Sequence, residues 1–127
     1  MIVEVVVGIL LGLGGLACIT GAVGLLRFPD VYSRMHASGV TDTLGAGLVV
    51  LGLLVWAALG DGGWATALAE GHAEAAKPGL LQSVKLVSIL FFLWVSGTTA
   101  VHALAKAAWL DGLVPWTRDE EGASSTR

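Results

Sequence analysis

The sequence predicts an all-α integral membrane protein of three transmembrane helices, with a short amphipathic helix in the first connection. Three observations predict it. Of 127 residues, 55% are hydrophobic and only 13% charged, with a mean hydropathy of +0.80, which does not fit an ordinary soluble domain. Three nearly uncharged runs, Ile2 to Leu26, Thr43 to Gly60 and Leu80 to Val101, each reach about the 18 residues a helix needs to cross hydrocarbon. Between the first two lies GLLRFPDVYSRMHASGVTDTLG, Gly24 to Gly45, which gathers Arg27, Asp30, Arg34, His36 and Asp42 in one stretch. The chain therefore reads as one membrane domain over residues 1–108. Its spans fall at 2–26, 43–60 and 80–104, with an interfacial helix at 29–38 and a polar, disordered tail at 109–127.

The first run begins MIVEVVV, with no Lys or Arg before Arg27, so it lacks the basic start of a signal peptide and is expected to be a mature span. As a helix it is about 37 Å long, more than a core of about 30 Å, and should tilt. Gly8, Gly12 and Gly15 share one face of it, which predicts close approach by another helix. Cys18 is the single cysteine, so no internal disulfide can form, and inside a span its thiol acts as a small apolar group.

After Leu26 the chain leaves the bilayer at Arg27, and Pro29 suits the first turn of a new helix. Phe28, Val31, Tyr32 and Met35 recur at helical spacing while Asp30, Ser33 and Arg34 point elsewhere, the pattern of a segment lying at an interface. Ser38, Gly39 and Val40 are expected to end that helix, with Thr41 or Asp42 capping the next. The second span, about 27 Å long, has Gly45 and Gly52 on one face and Trp56 near its far end, and the run Gly60 to Gly63 breaks it. TALAEGHAEAAK then predicts a short solvated helix in which His72 is an exposed residue rather than a ligand.

Pro78 is expected to start the third span. Within it Lys85, Ser88, Phe92, Ser96, Thr99 and His102 fall inside about 120° of the helical wheel, a polar stripe that should face protein or water and not lipid. Lys85, about 8 Å inside the span, is close enough to the boundary to snorkel; the sharper reading pairs it with a carboxylate of another subunit. Beyond Lys106, Trp109 and Trp116 mark an interfacial belt, and Gly112 and Pro115 break the helix.

Basic residues are few. Arg27 and Arg34 follow the first span, Lys77 the second, and Lys106 and Arg118 the third, a bias that places the N-terminus outside and the C-terminus in the cytoplasm. A net charge of −3 without a basic cluster gives no footprint for nucleic acid. No cysteine pair, no histidine pair at metal-ligand spacing, no phosphate loop and no nucleophile–base set can be assembled, so neither enzymatic chemistry nor a cofactor is expected.

The stretch Gly24 to Gly45 closely resembles the signature of the G subunit of multisubunit Mrp-type sodium/proton antiporters. The matching residues are Arg27, Phe28, Pro29, Asp30, Tyr32, Arg34, His36, Ala37, Thr43, Leu44 and Gly45, after a glycine-rich first span. The resemblance is specific over the first 60 residues or so; the Ala/Glu-rich loop and the tail add nothing to it. It implies an accessory subunit of a hetero-oligomeric transporter in the bacterial cell membrane that exchanges cytoplasmic sodium, or another monovalent cation, for external protons. The implied partners are large subunits related to the membrane arm of respiratory complex I, other small subunits and membrane lipid. On this reading Arg27 to Gly45, with Asp42 included, serves assembly or specificity, while Lys85, Ser88, Thr99 and His102 are candidates for an ion path or for pairing within the membrane. The competing readings are a self-sufficient homo-oligomeric transporter or channel, and a membrane anchor for an unrelated enzyme.

Overall fold

The computed structural model describes residues 1–113. Five α-helices follow in order: α1, Ile2–Arg27; α2, Val31–Val40; α3, Ala46–Leu59; α4, Trp64–Ala69; and α5, Ala73–Leu110, with a π-helical turn at Thr41–Gly45 joining α2 to α3. Among the described residues three helical stretches are long and apolar enough to cross a membrane: α1, the run from α2 through α4, and α5. The fold class is thus all-α with three spans.

Each terminus of α1 is set locally. Glu4 lies in its first turn and Arg27 in its last, both of favourable sign for the helix dipole. Proline at position 29 disfavours helical geometry for Phe28, which is extended at φ −72° and ψ 139°. Asp30, not Pro29, then opens α2. Its carboxylate accepts from the Ser33 N–H at 3.1 Å and from the Ser33 hydroxyl, as an N-cap residue does.

No break separates α2 from the second span, contrary to the expectation that Ser38 to Val40 end one helix and Thr41 or Asp42 caps another. Both residues sit inside a continuous helical run. The Thr41 hydroxyl donates to the Ala37 carbonyl at 3.2 Å and the Thr43 hydroxyl to the Gly39 carbonyl at 2.6 Å. Hydroxyls bonded back to the preceding turn compete with the regular backbone ladder, and here the ladder widens into the π turn instead of stopping.

Small residues bring the first two spans together. A side chain on Gly14 would meet Val49 and the Gly45 carbonyl, one on Gly21 would meet Thr41 and Ala37, and one on Gly45 would meet Cys18; Gly52 lies against Leu10 and Leu11. The seam inside the molecule is therefore Gly14 and Gly21 against Gly45 and Gly52. Gly8, Gly12 and Gly15, expected to form the packing face, stand on the other side of α1, where an added side chain would meet nothing of this chain. That face is open to whatever surrounds the monomer.

The hairpin between α3 and α5 forms a small cap. Trp64 Nε1 donates to Ser83 Oγ at 3.0 Å, which in turn donates to the Gly79 carbonyl at 3.0 Å. The Ala/Glu-rich segment does not make a helix of its own. Gly71, at φ +80°, ends the turn after α4, and Ala73 to Lys77 form the start of α5. Pro78 thus sits inside the helix, not at its head. Its ring removes the backbone hydrogen bond to the Glu74 carbonyl, a cost that the helix-favouring Ala and Glu residues around it offset in part. At its other end α5 continues through Trp109 to Leu110, into the stretch expected to be tail, and Gly112 at φ +76° follows it. The remaining tail, with Pro115, Trp116 and Arg118, lies outside the described residues.

Candidate functional site

The face of α5 turned toward its own chain carries Ala76, Ser83, Leu90, Gly97, Val101 and Ala108, all buried or half-buried. At 100° per residue these cluster on one side of the helix, and Lys85, Ser88, Ser96 and Thr99 lie about 180° away from them. All four are exposed. Ser88 donates to the Val84 carbonyl at 2.9 Å and Thr99 to the Val95 carbonyl at 2.8 Å, so these hydroxyls are satisfied on their own helix. Lys85 has no carboxylate partner among the described residues. The predicted stripe exists as an outward face, and the structure separates it from the first connection.

His102 is the exception. It turns with Gly97 and Thr98 toward α2, where it shares a groove of about 640 Å3 with Tyr32, His36, Asp42 and Thr43. A second cleft of about 430 Å3 continues along α3, lined by Gly47, Val87 and Phe91. Asp42, Thr43 and Trp94 border both, so they stand where the two meet. A side chain on Gly97 would stand 3.4 Å from Asp42 Oδ2, so the missing side chain admits the carboxylate close to the backbone of α5. Trp94, Gly97 and Thr98 complete this groove. The sequence carries a signal for Gly97 and Thr98 in the SGTT tetrapeptide of an otherwise apolar run.

The other signature residues build the support of this groove. The Arg34 guanidinium donates from Nε to the Phe28 carbonyl at 2.9 Å and holds the chain reversal at Pro29. Tyr32 donates its hydroxyl to the Leu113 carbonyl at 3.1 Å, tying α2 to the end of α5. Phe28 folds back on Gly24. The Asp30 carboxyl is held below its usual range, chiefly by the hydrogen bond from the Ser33 hydroxyl. Arg27 is exposed at the end of α1, and Gly45 is buried against Cys18.

Among the described residues no three His, Cys, Asp or Glu side chains converge to hold a metal ion. What the groove offers is one carboxylate, two imidazoles and hydroxyls in a mainly apolar wall.

A small three-span protein whose polar residues lie on an outward face or along an open groove is a component of a membrane assembly in its architecture. The chain belongs to the Na+/H+ antiporter subunit family of PhaG, MnhG and YufB, whose model matches residues 10–109. It is 32% identical over 112 residues to the G1 subunit of the Na(+)/H(+) antiporter of Staphylococcus saprophyticus, covering 86% of this chain and 80% of that protein. It is also 24% identical over 119 residues to the G subunit of the Na(+)/H(+) antiporter of Alkalihalophilus pseudofirmus, covering 94% and 85%. The family is that of the G subunit of Mrp-type antiporters, as the first connection implied.

Proposed function

We propose that this chain is an accessory subunit of a multisubunit antiporter that exchanges cytoplasmic sodium, or another monovalent cation, for external protons. The single observation that carries this reading is the outward face of α5. Lys85, Ser88, Ser96 and Thr99 point away from every helix of their own chain, in a segment of membrane-spanning composition. A charged and hydroxylated stripe in that position is costly against lipid and belongs against protein. Neighbouring subunits supply that protein, with a carboxylate facing Lys85. Gly8, Gly12 and Gly15 offer a second contact face on α1, where another helix backbone can come close.

The end of the bundle bearing Arg27 and Arg34 faces the cytoplasm, as does the C-terminus, because basic flanks stay on that side. The first connection, 28–38, then lies at the cytoplasmic boundary, and residues 1–108 act as one membrane domain. Affinity purification of the tagged chain from its native membrane in mild detergent tests the reading. Recovery with larger polytopic antiporter subunits is expected. Recovery as a lone homo-oligomer with cation-dependent proton flux of its own would replace it with the self-sufficient transporter.

A further inference from the structure

We propose that the groove between α2, the π turn and α5 is a monovalent-cation site at which Asp42 binds either a proton or the cation. The proposal rests on the antiporter reading and adds the residue at which the two ions compete.

Depth comes first. Asp42 precedes Gly60, where the second span ends, by 18 residues, and the facing Gly97 follows Gly79 of the cap by 18 residues. Both intervals correspond to about 27 Å of helix, so on either count Asp42 lies just within a hydrocarbon core of about 30 Å. It is half-buried, it lines both clefts, and among the described residues its carboxylate accepts no hydrogen bond and faces no Lys or Arg at ion-pair distance. A carboxylate there with no fixed partner needs a proton or a cation.

The surrounding atoms favour a cation. Thr43 spends its hydroxyl proton on the Gly39 carbonyl, and Thr98 spends its own on the Trp94 carbonyl at 3.0 Å. Both oxygens therefore present lone pairs to the groove. Carboxylate and hydroxyl oxygens suit a hard cation, and among the described residues the two imidazoles and the carboxylate do not converge as a transition-metal site would need. The other titratable groups lining the groove are His36 and Tyr32 from α2 and His102 from α5. A protonated His36 or His102 would repel the cation, which reinforces the exclusion that proton binding at Asp42 imposes.

The aim of the carboxylate depends on the π turn. One turn of π-helix alters the angular register between α2 and α3, so the sequence around Asp42 faces α5 while Gly45 faces Cys18 of α1. Such turns recur at functional sites for this reason.

The test uses the native complex, with Na+ as the probe and choline as the inert control. Wild type, Asp42→Asn and Asp42→Glu are compared for subunit composition, for Na+-driven proton flux, and for the infrared band of protonated carboxyl groups. The expected result for Asp42→Asn is an intact complex, flux reduced about tenfold or more, and loss of the Na+-induced decrease in the carboxyl band. Asp42→Glu should restore part of the flux at a changed half-saturating Na+ concentration. Wild-type flux in Asp42→Asn, or an unchanged band response, would overturn the site. Should Asp42→Asn fail to assemble, Asp42→Glu carries the test in the native complex, where a wild-type half-saturating Na+ concentration with an unchanged carboxyl band response overturns the site. Failure of the antiporter reading is distinct, because the wild-type chain would then purify without antiporter subunits.

Discussion

Asp30 shows how one side chain can order a connection and how pH should disturb it. Its carboxyl is held below the usual aspartate value of 3.8 by the Ser33 hydroxyl and backbone N–H, so the ionised form is the one that caps α2. A lowered native value means that the contribution is complete above about 3.8 and is lost as pH falls through the native value. The protection factor of the Ser33 amide, its exchange rate relative to the intrinsic rate at each pH, should stay constant from about pH 7 to 5 and fall on further acidification. Asp30→Asn should cap at neutral pH and remove the acid response; equal acid response in that variant would assign it elsewhere. At Gly21 the demand is steric, because an added side chain meets the Thr41 side chain and the Ala37 carbonyl. Gly21→Val should therefore cost about 1–3 kcal/mol, read as a lower midpoint of thermal unfolding in detergent, whereas Gly12→Val should leave the isolated chain unchanged.

Among the elements, the connection from α2 to α3 differs most from what the residues announced. Three spans were legible because apolar runs of that length have one stable form in lipid, and the end of α1 was legible because Pro29 forbids helix before it. The glycine seam was not, because α1 carries two interleaved glycine rows. Gly8, Gly12 and Gly15 have the familiar short spacing, but Gly14 and Gly21 are seven apart, as are their partners Gly45 and Gly52. Matching the intervals of the two helices would have pointed to the row that packs within the chain. The π turn was hidden for another reason, since Ser38, Gly39 and Thr41 are all residues that can end a helix, and the Thr41 and Thr43 hydroxyls instead bond back to the preceding turn and keep the run helical. Deleting Leu44, an exposed residue of that turn, should restore α-helical register and swing the preceding residues by about 100°. The expected outcome is a folded three-span chain whose Asp42, replaced by Cys in a cysteine-less background, no longer crosslinks to Cys at position 98. Retained crosslinking would mean that the turn does not set the aim.

At the scale of the whole molecule, the buried apolar side chains are mostly small: Ala37, Ala57, Ala67, Ala76 and Ala108 are buried beside Val7, Met35 and Val50, while Ile9, Leu16, Phe92 and Trp94 are well exposed. A monomer arranged this way presents most of its bulk to neighbours and lipid. The candidate site was only half legible for that reason. His36 and Asp42 were visible in the first connection and His102 in the third span, but nothing in their spacing tells that a helix 60 residues later crosses beside Asp42 while turning Lys85 away. Lys85→Ala should reduce co-purification of at least one large subunit, or reduce antiport in the assembled complex, and Lys85→Arg should restore either. Normal assembly and transport in Lys85→Ala would leave the outward stripe without a partner role.

The bond from Tyr32 to the Leu113 carbonyl closes a loop of 81 residues around the second and third spans. Mechanically it is a latch: the chain that leaves α5 is fastened to the helix that floors the groove. A displacement of the end of α5 is thereby passed to the helix that carries His36.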